Sequence, residues 1–226
     1  MSLWTRILEA LAALSAGDGL TAVFDKLRTP PERSVAFAIA VIALAAKMAK
    51  ADGLVTRNEV RAFREVFYIA SKDEAGAARV FDLARTDVAG FEDYAKRIHT
   101  MFAGSPETLN DLLEGLFHIA MADGFYHPNE NAFLERVAQI FSVPDNNFRA
   151  LRARFVPDDF TDPYTVLGVS AALELEEIRV EWRKLVLENH PDAMMARGVP
   201  KEAVRLAEKR MIDINYAWEE IQNSRG

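Results

Sequence analysis

The chain has 226 residues, half of them hydrophobic and 27% charged, a composition typical of a soluble globular protein with one or two domains. Its net charge of −7 argues against a general nucleic-acid binder, because such proteins usually present a basic face. The chain has no cysteine, which excludes disulfides and thiolate metal sites and is compatible with a reducing compartment. We therefore expect a cytoplasmic protein.

Two apolar stretches near the N-terminus predict helices, and neither predicts a transmembrane segment. The first carries a single helical stripe, made of Leu3, Trp4, Ile7, Leu8, Leu11 and Leu14. We expect this stripe to pack on the domain behind it. Peripheral membrane contact is the alternative, but Arg6 is the one cation of this stretch, and interfacial anchors are usually rich in Lys and Arg. The second stretch, residues 35–46, is closed by Lys47 and is too short to cross a bilayer, so it predicts a helix buried on all sides.

Apolar residues recur at helical spacing as far as Phe155, and few runs alternate apolar and polar residues as a β-strand does. Glycine and proline interrupt the periodic segments at residues 17–19, 29–31, 104–106 and 143–145. We therefore predict an all-α protein. Residues 1–155 should form a bundle of about seven helices, and residues 156–161 a short acidic linker.

Two stretches of the predicted bundle repeat each other. Ala-Lys-Ala-Asp-Gly at residues 49–53 returns as Ala-Met-Ala-Asp-Gly at residues 120–124. Each copy predicts a helix, a turn and a second helix. Gly53 and Gly124 suit the left-handed conformation in which many helices end.

The acidic residues of this repeat allow two interpretations. Helix capping explains Glu59 and Glu130, each of which falls in the first turn of the following helix. Asp52 and Asp123 are explained less well, because an acid in the last turn of a helix faces the negative end of the helix dipole. They could form a hydrogen-bonded brace between the two halves. Alternatively, Asp52, Glu59, Asp123 and Glu130 could supply oxygen ligands to a hard divalent cation.

The doubled Ala-x-Ala-Asp-Gly pattern within a helical bundle resembles the TerB-like tellurite-resistance domain over roughly residues 30–155. It also resembles the central region of the DjlA family of membrane-anchored DnaJ-like proteins, which join such a domain to a C-terminal J-domain. The resemblance implies metal association and a stress-response setting. DjlA-type proteins begin with a transmembrane segment, which we do not expect here.

The C-terminal segment is organised around His190, Pro191 and Asp192. Pro191 lacks an N–H group and biases the preceding residue away from helical geometry, so one helix should end near His190. Asp-Pro-Tyr at residues 162–164 opens the segment, and amphipathic helices are predicted at residues 175–189 and 201–222. The order and spacing of these parts over residues 162–226 resemble the J-domain of the DnaJ co-chaperone family.

The two long helices should pack against each other as an antiparallel pair, and Trp182, Tyr216 and Trp218 are predicted core residues. The resemblance implies a partner, the DnaK-type heat-shock ATPase. Its contacts would fall to His190, Pro191 and Asp192, helped by the cations Arg179, Arg183 and Lys184. The Asp of the tripeptide would help to trigger ATP hydrolysis and closure on a bound client polypeptide. Such a co-chaperone does no chemistry itself and shifts its partner between states.

Several positions depart from the usual J-domain pattern. Glu188 stands where the family usually has lysine, and Asn189 where it has an aromatic residue. Glu177 and Glu181 reduce the positive charge further, so electrostatic steering should be weaker than in a general-purpose J-protein. The chain has no Gly/Phe-rich segment and no Cys-rich zinc region, so client binding of the housekeeping kind is not expected.

Three functions follow, in decreasing order of support. The first is a co-chaperone regulator, in which the bundle gives client, location or stress specificity. The second is a metal-responsive scaffold that uses the acidic residues of the repeat. The third is a hydrolase that uses those carboxylates. It has the least support, because the sequence offers no nucleophile-and-base pair. We therefore expect no enzymatic activity of the chain's own and no certain cofactor.

Overall fold

The structure of the protein is a computed structural model, which describes residues 3–12, 33–52, 67, 74, 78, 90–156 and 162–225. Its helices are α1 (Leu3–Ala12), α2 (Arg33–Asp52), α3 (Phe91–Phe102), α4 (Pro106–Ala120), α5 (Pro128–Ile140), α6 (Asp145–Phe155), α7 (Pro163–Leu167), α8 (Leu175–Glu188), α9 (Pro191–Ala196) and α10 (Val204–Arg225). Short 3-10 turns cover Met121–Asp123 and Lys201–Ala203. The described residues include no strand, and the predicted all-α class is confirmed.

Helix α2 is the centre of the N-terminal bundle. Each residue from 35 to 46 is at most 3% exposed, as the apolar run predicts for a helix buried on all sides. Helices α1, α3, α4 and α5 all pack against it. The α1 side chains Leu3, Trp4 and Ile7 are buried in the same core, which confirms the predicted packing for this part of the stripe. The side chain of Leu11 and residue Leu14 lie outside the described part of the chain. Within the described residues, no helix has the length and apolarity needed to cross a membrane.

The second copy of the Asp-Gly repeat joins α4 to α5. Gly124 follows the 3-10 turn with φ of +85°, which confirms the left-handed helix end that the sequence predicts. Pro128 occupies the first turn of α5, where its missing N–H costs nothing. The first copy of the repeat is described only as far as residue 52, so Gly53 lies outside the described residues.

The C-terminal part is built on the antiparallel pair of α8 and α10. Its own small core contains Leu167, Ile178, Ile214, Ala217, Trp218 and Ile221. Asp162 caps α7, because its carboxylate accepts the backbone N–H of Thr165 at 3.0 Å. The Trp182 ring stacks on Trp218 at 5.2 Å between centroids, and both tryptophans pack where the sequence predicts.

Tyr216 does not belong to that core, and the prediction for this residue is wrong. Its side chain is 67% exposed. Ile214 and Trp218 lie two residues to either side of it and face α8, so the helical turn directs Tyr216 to the opposite side of α10.

The two parts of the chain are packed together. Helix α7 packs on α6. The segment from α9 to the start of α10 contributes to the core cluster of the N-terminal bundle through Met194, Val199, Ala203, Leu206 and Ala207. The short linker suggests only restricted motion, and the sequence alone does not indicate this shared core.

Candidate functional site

The predicted corner between α8 and the following helix is present. Helix α8 ends at Glu188, Asn189 follows it, and His190 is the N-cap of α9. Pro191 occupies the first helical position of α9, where its fixed φ suits a helix start. The backbone N–H of Asp192 donates to His190 Nδ1 at 3.2 Å, so the ring is suited to the tautomer that carries its proton on Nε2.

The corner faces solvent. The side chains of His190 and Asp192 are 55% and 81% exposed, and Asp192 Oδ2 lies 3.6 Å from His190 Nδ1. The buried side of α9 is provided instead by Met194. A partner can therefore reach the imidazole and the carboxylate without any movement of the bundle.

The outward face of α8 leads to this corner. We define it by four residues at helical spacing, Val180, Arg183, Lys184 and Leu187, which are all exposed. Two of them are apolar and strongly exposed, Val180 at 61% and Leu187 at 73%. The cations of this face are predicted from the sequence but the apolar pair is not, although its spacing of seven residues on one helix face is a signal for it.

The cations of α8 are partly neutralised by their own helix. Arg179 Nη1 donates to Glu176 Oε1 at 3.2 Å, and Lys184 Nζ lies 4.0 Å from Glu181 Oε2. Exposed pairs of this kind add little stability, but they do lower the free positive charge of the surface. The outward face is therefore mixed, partly basic and partly apolar.

Beneath the corner lies a buried group of ionic side chains, which we call the interdomain cluster. It consists of Asp111 and Glu114 on α4, Arg154 on α6, Arg197 after α9 and Arg210 on α10. The Asp111 carboxylate is fully buried. It accepts a two-pronged bond from Arg197, with Nε at 2.7 Å and Nη2 at 3.0 Å, and a third bond from Arg210 Nη2 at 2.8 Å. Bidentate arginine–carboxylate pairs are geometrically specific as well as strong.

The same two arginines hold both sides of the corner. Arg197 Nη1 donates to the backbone carbonyl of Glu188 at 2.8 Å. Arg210 Nη1 donates to Asn189 Oδ1, while Asn189 Nδ2 donates to the carbonyl of Leu185 at 2.7 Å. The polar residue at position 189, a departure from the J-domain pattern, thus has a structural partner.

Burial makes the cluster costly to break. Desolvation lowers the pKa of Arg154 to about 10, an effect that Asp213 and Asp111 oppose. Burial likewise raises the pKa of Asp213, and Arg154 and Lys209 oppose that shift. Removing one partner from a buried ion pair typically costs about 3–5 kcal/mol, because an uncompensated charge remains.

The structure describes two of the four side chains of the predicted cation site, Asp123 and Glu130. Asp123 Oδ1 accepts the N–H of Phe125 at 2.9 Å, and its Oδ2 lies 3.4 Å from His127 Nε2. Glu130 is buried and its Oε2 accepts the N–H of His127 at 3.1 Å. Glu59 and the side chain of Asp52 lie outside the described residues. Among the described residues no group of three or more His, Cys, Asp or Glu could hold a metal ion. The four-residue cation site stays a prediction.

Comparison with protein families finds two matches in one chain. The family described as "Tellurite resistance protein TerB" matches residues 38–153, which is about half of the chain. The DnaJ domain matches residues 162–225 and therefore includes the corner, its outward face and both arginines that bind Asp111.

Relatives among curated proteins share both parts. The chain is 26% identical over 221 residues to "Co-chaperone protein DjlA" of Photobacterium profundum, covering 86% of this chain and 80% of that protein. It is 26% identical over 227 residues to the protein of the same name from Vibrio cholerae, with the same coverage. Against the Escherichia coli K12 protein of that name, identity is 23% over 269 residues, covering 100% of this chain and 99% of the relative. No solved structure matches the chain significantly.

Proposed function

Because the chain belongs to the TerB family and carries a DnaJ domain behind it, in the order of the DjlA-like co-chaperones, we propose that it stimulates ATP hydrolysis by a DnaK-type heat-shock ATPase. The chain acts as a regulator of that ATPase rather than as an enzyme. The observation that carries the proposal is the exposed His190-Pro191-Asp192 corner at the end of an exposed helix face.

The geometry supports a division of labour between the two surfaces. The outward face of α8 provides exposed cations and apolar side chains for binding. The corner then presents the Asp192 carboxylate, which is not enclosed by the bundle and is free to contact groups on the partner. Contacts that are stronger in one state of the ATPase shift it toward that state, which is how a protein without chemistry of its own accelerates hydrolysis.

The charges along α8 predict that electrostatic attraction contributes little to binding. Pairs with Glu176 and Glu181 occupy Arg179 and Lys184, and Glu188 adds negative charge next to the corner. Charge steering is therefore weak, and burial of Val180 and Leu187 contributes more to affinity. We assign to the TerB-like bundle the role of selecting a client, a location or a stress condition.

The test is stimulation of a purified DnaK-type ATPase by the full chain, measured as the steady-state rate of phosphate release. Wild type should raise the rate in a saturable way, and Asp192→Asn should abolish the increase while leaving the helical circular dichroism unchanged. The asparagine keeps the shape of the side chain and removes its charge.

Asp145→Asn is the matched control, because Asp145 is also exposed, also follows a proline and also lies in the first turn of a helix. It should stimulate like wild type. Equal stimulation by wild type and Asp192→Asn, or none by wild type, would show that the proposed function is wrong.

A further inference from the structure

We propose that Asp111, a residue of the TerB-like bundle, is a positioning residue for the J-domain, and that it sets the orientation of the His-Pro-Asp corner through Arg197 and Arg210. This inference rests on the proposed function. It assigns to the bundle a direct part in stimulation, in addition to selecting a client or location.

The first support is that one carboxylate anchors both sides of the corner. Arg197 binds Asp111 with two nitrogens and the Glu188 carbonyl, at the end of α8, with the third. Because Arg197 also follows the last residue of α9, it joins the exit of α8 to the exit of α9. The corner lies between these two points.

The second support comes from Arg210, which shares Oδ1 of the same carboxylate with Arg197. Arg210 on α10 reaches Asp111 with Nη2 and Asn189 with Nη1. Asn189 is the residue immediately before the corner, and its amide also fixes the last turn of α8. Through Arg210, Asn189 and the bundle's Asp111 therefore form one connected arrangement.

The third support is that the anchor is rigid. Asp111 is fully buried and lies within α4, which packs on the central helix α2. Thr108, one turn earlier on α4, donates through its hydroxyl to the carbonyl of Arg197 at 3.3 Å. Arg197 bonds through all three of its guanidinium nitrogens and Arg210 through two, which leaves both side chains little freedom. Helix α9 therefore has a defined angle to the outward face of α8.

Loss of this anchor should separate triggering from binding. In Asp111→Asn we expect the outward face of α8 to remain intact. The hydrogen bonds of Asp111, Arg197 and Arg210 involve none of the four residues that define this face. The two arginines, however, lose the one charge that they share, and among the described residues only Arg210 keeps a second carboxylate partner, Glu114. We expect maximal stimulation of the ATPase to fall about fivefold, with the half-saturating concentration changed less than about twofold.

This pattern distinguishes positioning from damage to the fold. A fraction of unfolded protein would raise the apparent half-saturating concentration and leave the maximum at saturation unchanged. Amide hydrogen exchange provides the second readout: exchange in residues 192–197 should accelerate in Asp111→Asn, while that in the middle of α8 stays at the wild-type rate.

Two further variants complete the design. Glu107→Gln removes a carboxylate one turn earlier on the same helix, exposed and outside the cluster, and should stimulate like wild type. Arg197→Lys keeps the charge at a partly accessible position but cannot bind Asp111 and the Glu188 carbonyl together, so it should lower the maximum by an intermediate factor. Arg197→Lys also serves if Asp111→Asn fails to fold.

The outcomes separate this inference from the proposed function. If wild type does not stimulate the ATPase, the proposed function fails. If wild type stimulates and folded Asp111→Asn and Arg197→Lys both reach the wild-type maximum, the proposed function stands and Asp111 has no positioning role.

Discussion

At the scale of single residues, the acidic side chains of the Asp-Gly turn show how one sequence pattern can have two explanations. In the described copy, Asp123 binds the N–H of Phe125, and Glu130 binds the N–H of His127. Asp123 thus closes a turn, and Glu130 caps the start of a helix as the capping rule predicts. These bonds account for the two acids without a ligand, and the cation hypothesis depends on what Asp52 and Glu59 add.

Substitution of Glu130 distinguishes a cap from a metal ligand. Glu130→Ala should destabilise the protein by about 1 kcal/mol, because the N–H of His127 loses its acceptor. Glu130→Gln keeps an amide oxygen in the same place and should cost only a few tenths of a kcal/mol. Chemical denaturation followed by circular dichroism gives both values.

Calorimetric titration with calcium, magnesium, manganese and zinc tests the ligand role on the same variants. If the cation hypothesis is right, wild type should release or absorb heat and Glu130→Gln should not. A wild-type protein that gives no heat with any of the four ions would eliminate the site.

At the scale of elements, the outward face of α8 is the surface on which recognition depends. Leu187 lies one turn before His190 and is more exposed than any other large apolar residue among those described. An exposed leucine next to the corner has no role in folding that the structure reveals. Its burial against a partner would remove apolar area from water.

Leu187→Ser should therefore weaken binding without weakening the fold. We expect the half-saturating concentration for ATPase stimulation to rise about tenfold, the equivalent of roughly 1.4 kcal/mol of lost binding energy. The unfolding free energy should change by no more than about 0.5 kcal/mol, as for other exposed positions.

Ile212→Ser is the control for this substitution, since Ile212 is 69% exposed but lies on α10, away from α8's outward face. It should leave the half-saturating concentration at the wild-type value. Equal effects of the two serine variants would show that exposure alone, and not the α8 face, governs the interaction.

The elements themselves were largely predictable, because apolar periodicity and proline positions are local signals. The buried helix α2, the turn at Gly124 and the corner at Pro191 all follow from a few neighbouring residues. The core prediction for Tyr216 is wrong, because aromatic residues are often buried but its position on α10 directs the ring to solvent. The interdomain cluster could not be predicted, because Arg197 and Arg210 are 86 and 99 residues away from Asp111 in sequence. Such pairing depends on how distant helices pack against each other, and apolar periodicity along the sequence gives no information about that packing.

At the scale of the whole molecule, the C-terminal part is structurally dependent on the bundle. Helix α9 and the start of α10 are packed into the core of the N-terminal bundle, and the interdomain cluster joins the same surfaces. A unit that shares its core with a neighbour should not unfold separately from it.

We therefore expect a single cooperative unfolding transition for the full chain. Tryptophan fluorescence reports on Trp182 and Trp218 in the C-terminal part and on Trp4 in the bundle, while far-ultraviolet circular dichroism reports on all helices. The two signals should give the same denaturant midpoint. Two separate midpoints in wild type would show that the parts fold independently.

The Asp111→Ala variant provides the comparison. Removing this carboxylate leaves two buried arginines without their shared partner, so the C-terminal part should unfold at a lower denaturant concentration than the bundle. The fluorescence midpoint would then fall below that of the circular dichroism signal.

We expect the His190-Pro191-Asp192 corner to act on the hydrolysis step of the ATPase cycle, and single-turnover kinetics measures that step directly. A DnaK-type ATPase preloaded with ATP is mixed with the full chain, and conversion of bound ATP to ADP is followed in the absence of free nucleotide. We predict that wild type accelerates this conversion, that Asp192→Asn leaves it at the basal rate, and that Asp145→Asn matches wild type. Acceleration of nucleotide release without any acceleration of hydrolysis, or equal rates with wild type and Asp192→Asn, would contradict the account.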